Sequence, residues 1–184
     1  MTHVLIENIA KYEGQVVTLK GWLANKRSSK ALVFMQLRDG TGIIQAVVYR
    51  PELGDDIYAL CDRMEQETCL AVTGLVKRDE RSAIGYELSV QAVEVIGKPT
   101  EEYPITPKEH GVAFLMDLRH LWLRSKRQNA IMRIRNEVIR AIRDFFEDRN
   151  FVNLDAPIFM SSSCEGTSNL FECTYFDRKA YLSQ

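Results

Sequence analysis

No CxxC pair, no apolar run long enough to cross a membrane and no surplus of charge of either sign occur in this 184-residue chain. Each absence excludes something. The four cysteines (Cys61, Cys69, Cys164 and Cys173) and three histidines (His3, His110 and His120) are scattered, which argues against a zinc site and a disulfide framework. Reduced thiols in a cytoplasmic protein are the expectation. A spanning helix needs about 20 consecutive apolar residues, and none is present, so no membrane partner is expected. The N-terminal MTHVLIENIAKYEG lacks the basic-then-apolar layout of a signal peptide. A formal net charge of −1 gives no bulk attraction to nucleic acid, although grouped basic residues can still bind it. No internal repeat, low-complexity tract or glycine-rich phosphate loop is found.

What is present divides into two halves. Residues 15–25, 31–38, 43–50, 69–77 and 86–96 read as strands, and Asp39-Gly40-Thr41-Gly42 as a tight turn between the second and third. Residues 55–66 have helical spacing, with Ile57, Leu60, Cys61 and Met64 on one side. The order βββ-α-ββ predicts a small five-stranded Greek-key barrel, the OB-fold. Residues 98–118 read as a connector, because Pro99, Pro104 and Pro107 remove backbone donors and resist helix. Residues 125–149 then turn helical: Ile131, Ile134, Val138, Ile142 and Phe145 recur three or four apart and form one apolar stripe, and Asn150 is a natural stop. A strand over Phe151–Pro157, a polar loop and a second strand running to Gln184 follow.

The second strand alternates. Val33, Met35 and Leu37 point one way, and Leu32, Phe34, Gln36 and Arg38 the other. An outward aromatic among amides and a guanidinium can stack an unpaired base while its neighbours read the base edges. Ile44, Ala46 and Val48 face inward on the third strand, so Gln45 faces outward. Asn25-Lys26-Arg27-Ser28-Ser29-Lys30 reads as a basic loop at the barrel mouth, suited to phosphates. Taken singly, a strand phenylalanine is more often core, and a short basic loop is more often only solvated.

The segments Gly21-Trp22-Leu23-Ala24-Asn25-Lys26-Arg27, residues 32–39 and Gly42-Ile43-Ile44-Gln45-Ala46 resemble the anticodon-binding domain of the aspartyl/asparaginyl/lysyl branch of class II aminoacyl-tRNA synthetases. That resemblance implies that Phe34 stacks an anticodon base and that Gln45 and Arg27 contact the anticodon. The helix 125–149 with residues 151–157 is similar to motif 1 of the class. This implies a homodimer interface carried by Ile131, Ile134, Val138, Ile142 and Pro157. Residues 161–169 resemble the loop that closes over the amino acid. Glu165 then meets the α-ammonium group, and Gln184 also binds the amino-acid head. Residues 103–111, 114–124 and Cys164-Glu165-Gly166-Thr167 favour the asparaginyl type over the aspartyl type.

The implied architecture is a β barrel followed by α/β structure. Residues 1–97 form an OB-fold anticodon-binding domain, 98–118 a linker or hinge, and 119–184 the start of a class II antiparallel-sheet catalytic domain. The implied reaction joins asparagine to tRNA(Asn) through an asparaginyl-adenylate, with ATP and Mg2+ in the complete enzyme. The sequence ends before motifs 2 and 3, so no catalytic residue, bound cofactor or metal is expected within it. Two other readings stand beside this one. The first is a stand-alone OB-fold module for single-stranded nucleic acid, and the second an interaction protein that dimerises through its helix.

Overall fold

A computed structural model describes residues 4–161 and 170–182. The chain divides into two compact units, Met1–Glu109 and His110–Gln184.

In the first unit, strands β1 (Val16–Ser28), β2 (Leu32–Arg38), β3 (Ile43–Tyr49), β4 (Cys69–Arg78) and β5 (Tyr86–Gly97) close into a barrel in the order β1-β2-β3-β5-β4. β1 pairs antiparallel with both β2 and β4, and β5 runs parallel to β3 to complete the closure. This is the OB-fold. The alternation read from the sequence holds on β2 and β3: Val33, Met35, Leu37, Ile44, Ala46 and Val48 are all buried. Helix α1 (Arg50–Arg63) packs Cys61 against this core, with Met64 just beyond its end. Its main part starts after Gly54, where the apolar spacing suggests, because Gly54 at φ 82° breaks it from a short leading turn that carries Pro51. A short 3-10 helix, Ile6–Tyr12, buries Ile6 and Ile9 and was not anticipated.

Two local features set the barrel's geometry. Gly21 lies where β1 presses on β2, and a Cβ there would stand 2.2 Å from the Arg38 carbonyl oxygen. Beyond it, β1 carries a bulge. Leu23 pairs with Leu37, but Asn25 pairs with Gln36, leaving Ala24 as an extra residue. An unpaired residue shifts the phase of alternation by one. Val17, Leu19 and Leu23 point into the core before the bulge, and Asn25 and Arg27 are exposed after it.

The second unit holds α2 (Val112–Asp117), α3 (Arg119–Trp122), α4 (Lys126–Glu147) and a three-stranded sheet ordered β6-β8-β7, from β6 (Phe159–Met160), β7 (Glu172–Tyr175) and β8 (Arg178–Leu182). The connector is therefore shorter than its composition suggests: the last proline is Pro107, and helix starts at Val112. Ser125 caps α4, its hydroxyl accepting from the Gln128 N–H. At the other end the Asn150 N–H donates to the Glu147 carbonyl and the Phe151 N–H to the Phe146 carbonyl, with Asn150 at φ 64° and the Phe146 and Phe151 rings 5.4 Å apart. That is a Schellman stop with its apolar clasp, and Asn is there because it tolerates the left-handed turn. The stripe residues Ile131, Ile134, Val138, Ile142 and Phe145 are all exposed.

The expected strand before Pro157 is absent: residues 151–157 form no ladder, and Val152 and Leu154 are 82% and 87% exposed. An extended segment becomes a strand only with a partner for its backbone donors and acceptors. Among the described residues none pairs with it. Glu165, Gln184 and the loop around Cys164 lie outside the described residues.

Candidate nucleic-acid interface

The outer face of the barrel assembles three of the residues singled out in the sequence. Arg27 and Phe34 are direct cross-strand partners on β1 and β2, and the Arg27 guanidinium carbon sits 4.5 Å from the centre of the Phe34 ring. A cation over an aromatic face is attracted by the ring's quadrupole. The bulge at Ala24 makes this pairing possible, because without it Arg27 would share the inward phase of Leu23. Gln45 lies on β3 opposite Gln36, and next to Glu87 across the parallel β3–β5 pair. Its side-chain nitrogen lies 3.4 Å from the Glu87 carboxylate. With the nitrogen turned to Glu87, the Gln45 carbonyl oxygen is left as an acceptor for a base N–H.

This face offers an aromatic ring, a guanidinium and an amide side by side on adjacent strands of a rigid barrel. Such a set can stack one unpaired base, place a cation near its phosphate and read one edge. Phe34 is half-buried, its flank supported by Val47 across the β2–β3 pair.

Two expectations about neighbouring residues are corrected. Arg38 does not stand free to read a base. Its guanidinium donates to both carboxylate oxygens of Glu67, at 2.9 and 2.8 Å, in a bidentate ion pair. Glu67 is itself buried, with φ at 66°, and its N–H donates to the Leu23 carbonyl. The pair fastens the end of β2 to the segment that follows α1. The basic loop is also mostly strand: β1 continues to Ser28. Lys26, in the inward phase after the bulge, donates its ammonium to the Asp62 carbonyl. Burial pushes the neighbouring Cys61 thiol up to about 11, with the Lys26 charge pulling against it. Lys26 therefore belongs to the packing of α1, and Arg27 and Lys30 remain on the exposed side.

The sequence reading missed two residues of this face. Glu87 comes from β5, and only the parallel closure brings it beside Gln45. Tyr49 follows from the same two-residue period that placed Gln45, since Gln45, Val47 and Tyr49 all point outward on β3.

The turn after β2 is held by Asp39. One carboxylate oxygen accepts from the Thr41 N–H, the Thr41 hydroxyl and the Gly42 N–H, and the other from the Ile6 N–H at 2.8 Å. Burial alone would raise the Asp39 pKa, but these hydrogen bonds outweigh it and hold the carboxyl below its ordinary value.

Comparison with known proteins agrees with this geometry. Residues 17–96 match the family of OB-fold nucleic acid binding domains, and residues 112–184 match the class II tRNA synthetases (D, K and N). An asparagine–tRNA ligase from Sorangium cellulosum is 49% identical over 181 residues, 98% of this chain and 41% of that protein. The crystal structure of asparaginyl-tRNA synthetase from Pyrococcus horikoshii complexed with asparaginyl-adenylate superposes with a TM-score of 0.88 at 33% identity, over 100% of this chain and 43% of that one. The Entamoeba histolytica asparaginyl-tRNA synthetase in complex with asparaginyl-adenylate gives 0.80 at 27% identity, over 100% and 42%. The chain thus spans about two-fifths of the length of the relatives it matches.

Proposed function

Because the chain belongs to the class II tRNA synthetases of the D, K and N type, we propose that it is the anticodon-reading and leading catalytic portion of an asparagine–tRNA ligase. The complete enzyme would activate asparagine as an adenylate and transfer it to tRNA(Asn) in the cytoplasm. The observation that carries this reading is the barrel face on which Arg27 stacks over Phe34 beside an outward Gln45. A module that only held single-stranded nucleic acid would not need residues 112–184. An aspartate-specific enzyme is less well supported, since the relatives named above are asparagine enzymes.

ATP and Mg2+ are part of this reading for the complete enzyme. Among the described residues no group of three or more His, Cys, Asp and Glu converges to hold a metal ion. Glu165 and Gln184 are assigned to the amino-acid head by family resemblance. Amino-acid-dependent pyrophosphate exchange by the complete enzyme carrying Glu165→Ala is the measurement that tests them.

Phe34→Ala should weaken binding of a tRNA with an asparagine anticodon by ~1–3 kcal/mol, the worth of one lost base stack. Filter binding decides it, with circular dichroism to verify folding. Equal affinity in a folded variant would reject the stacking role.

The exposed stripe Ile131, Ile134, Val138, Ile142 and Phe145 on α4 supports a homodimer, since an apolar face of that length needs a cover. The 184-residue chain should therefore self-associate in sedimentation velocity. A monodisperse monomer across micromolar concentrations removes the argument for an interface helix.

A further inference from the structure

We propose that Tyr49 is a second stacking platform, which takes the nucleotide next to the one on Phe34. The inference rests on the barrel being the RNA reader and extends that reading by one base. Phe34 pairs with Val47 across β2–β3, and Leu32 pairs with Tyr49. Tyr49 is therefore the diagonal neighbour of Phe34 on the same outer face, at about 7–8 Å by sheet geometry. Leu32 and Val47, between the two rings, are half-buried, so the rings stand on one continuous apolar shelf. Tyr49 is 41% exposed although its inward-facing neighbour Val48 is fully buried.

The occupant follows from the surrounding chemistry. The shelf is flat and aromatic at both ends, and every base has a π-face, so it suits stacked bases better than a side chain of fixed shape. Cations flank it. Arg27 lies over Phe34, Lys30 is exposed in the β1–β2 turn, and Arg50 follows Tyr49 directly, with its N–H donating to the Ala31 carbonyl. Asp55 neutralises Arg50 through a 2.6 Å ion pair, so phosphate attraction falls to Lys30 and, at the Phe34 end, to Arg27. The position is rigid. Tyr49 is held in the β2–β3 ladder opposite Leu32 and leads into α1, whose part beyond the break at Gly54 is tied to the β1–β2 turn by the Tyr58 hydroxyl donating to the Ser29 carbonyl. A ring so anchored loses little freedom when a base lands on it. Two stacked neighbours would hold a splayed dinucleotide, and Gln45 would read one of its edges.

The test uses the full chain and an anticodon stem-loop RNA bearing the asparagine anticodon, with each loop position replaced in turn by an abasic nucleotide. Tyr49→Ala should weaken binding of the intact loop about 5- to 100-fold, and Tyr49→Phe should bind like the parent. One abasic position should erase the effect of Phe34→Ala, and an immediately adjacent one the effect of Tyr49→Ala. If Phe34→Ala weakens binding and a folded Tyr49→Ala does not, the second platform is overturned while the barrel reading stands. If neither variant weakens binding, the barrel is not the reader. An effect of Tyr49→Ala that persists on every abasic loop, or that Tyr49→Phe shares, also overturns stacking.

Discussion

Gly21→Ala is expected to destabilise the first unit by at least about 3 kcal/mol. The added methyl would lie 2.2 Å from the Arg38 carbonyl oxygen and 2.9 Å from its carbon. Both are backbone atoms, so no side-chain rotation relieves the overlap. Neither strand can retreat easily. Gly21 pairs with Leu70 on β4, and its neighbour Trp22 pairs with both Arg38 and Cys69, so β1 is held from two sides. A shift also disturbs the Arg38–Glu67 pair at the same point. Urea unfolding of Gly21→Ala beside Gly40→Ala measures it, because nothing lies within 4 Å of a Cβ at Gly40. Equal midpoints in the two variants would mean that the strands part at no cost and that the close approach is not structural.

Asp39→Ala is expected to cost about 2–3 kcal/mol at neutral pH, the worth of leaving several backbone donors without a charged acceptor. It also frees the 3-10 helix, whose Ile6 N–H loses its partner 33 residues away. The pH dependence has a definite sign. The carboxyl is held below its ordinary value near 3.8 in the folded protein. Its contribution is therefore complete above that value, and is lost as pH falls through the depressed folded value. The gap in Tm between the parent and Asp39→Ala should be constant from pH 7 to about 5 and close as the solution becomes more acidic. A gap that stays open or widens in acid would assign the stabilisation to packing rather than to the carboxylate.

The parts of this fold that were legible in the sequence are those governed by short periods. Val33, Met35 and Leu37 on β2 and Ile44, Ala46 and Val48 on β3 alternate strictly, so the inward and outward sets could be separated before any strand was paired. The same period placed Phe34 and Gln45 outward. The Asn150 stop was legible because few other residues accept its backbone angle. What escaped depends on distance. Arg38 reads as a free cation on β2 until Glu67, 29 residues on, is seen to accept from both its terminal nitrogens. Residues 151–157 look extended, yet a strand is a property of two segments, and among the described residues no second one pairs with it. Glu87 reaches Gln45 only through a parallel pairing that no local pattern announces.

Ala24 has a consequence of a different kind. It acts in β1 as a frameshift acts in a coding strand: everything beyond it is read in the other frame. With the extra residue, Arg27 meets Phe34 on the outside and Lys26 reaches Asp62 within. Were β1 to run straight through Ala24 without bulging, the two neighbouring cations would exchange sides. A guanidinium would then face the core and an ammonium the ring. The charge on the barrel's outer face is thus set by the bulge: a variant lacking Ala24 would keep Arg27 opposite Phe34 in a regular ladder, whereas flattening the bulge with Ala24 in place would turn Arg27 inward.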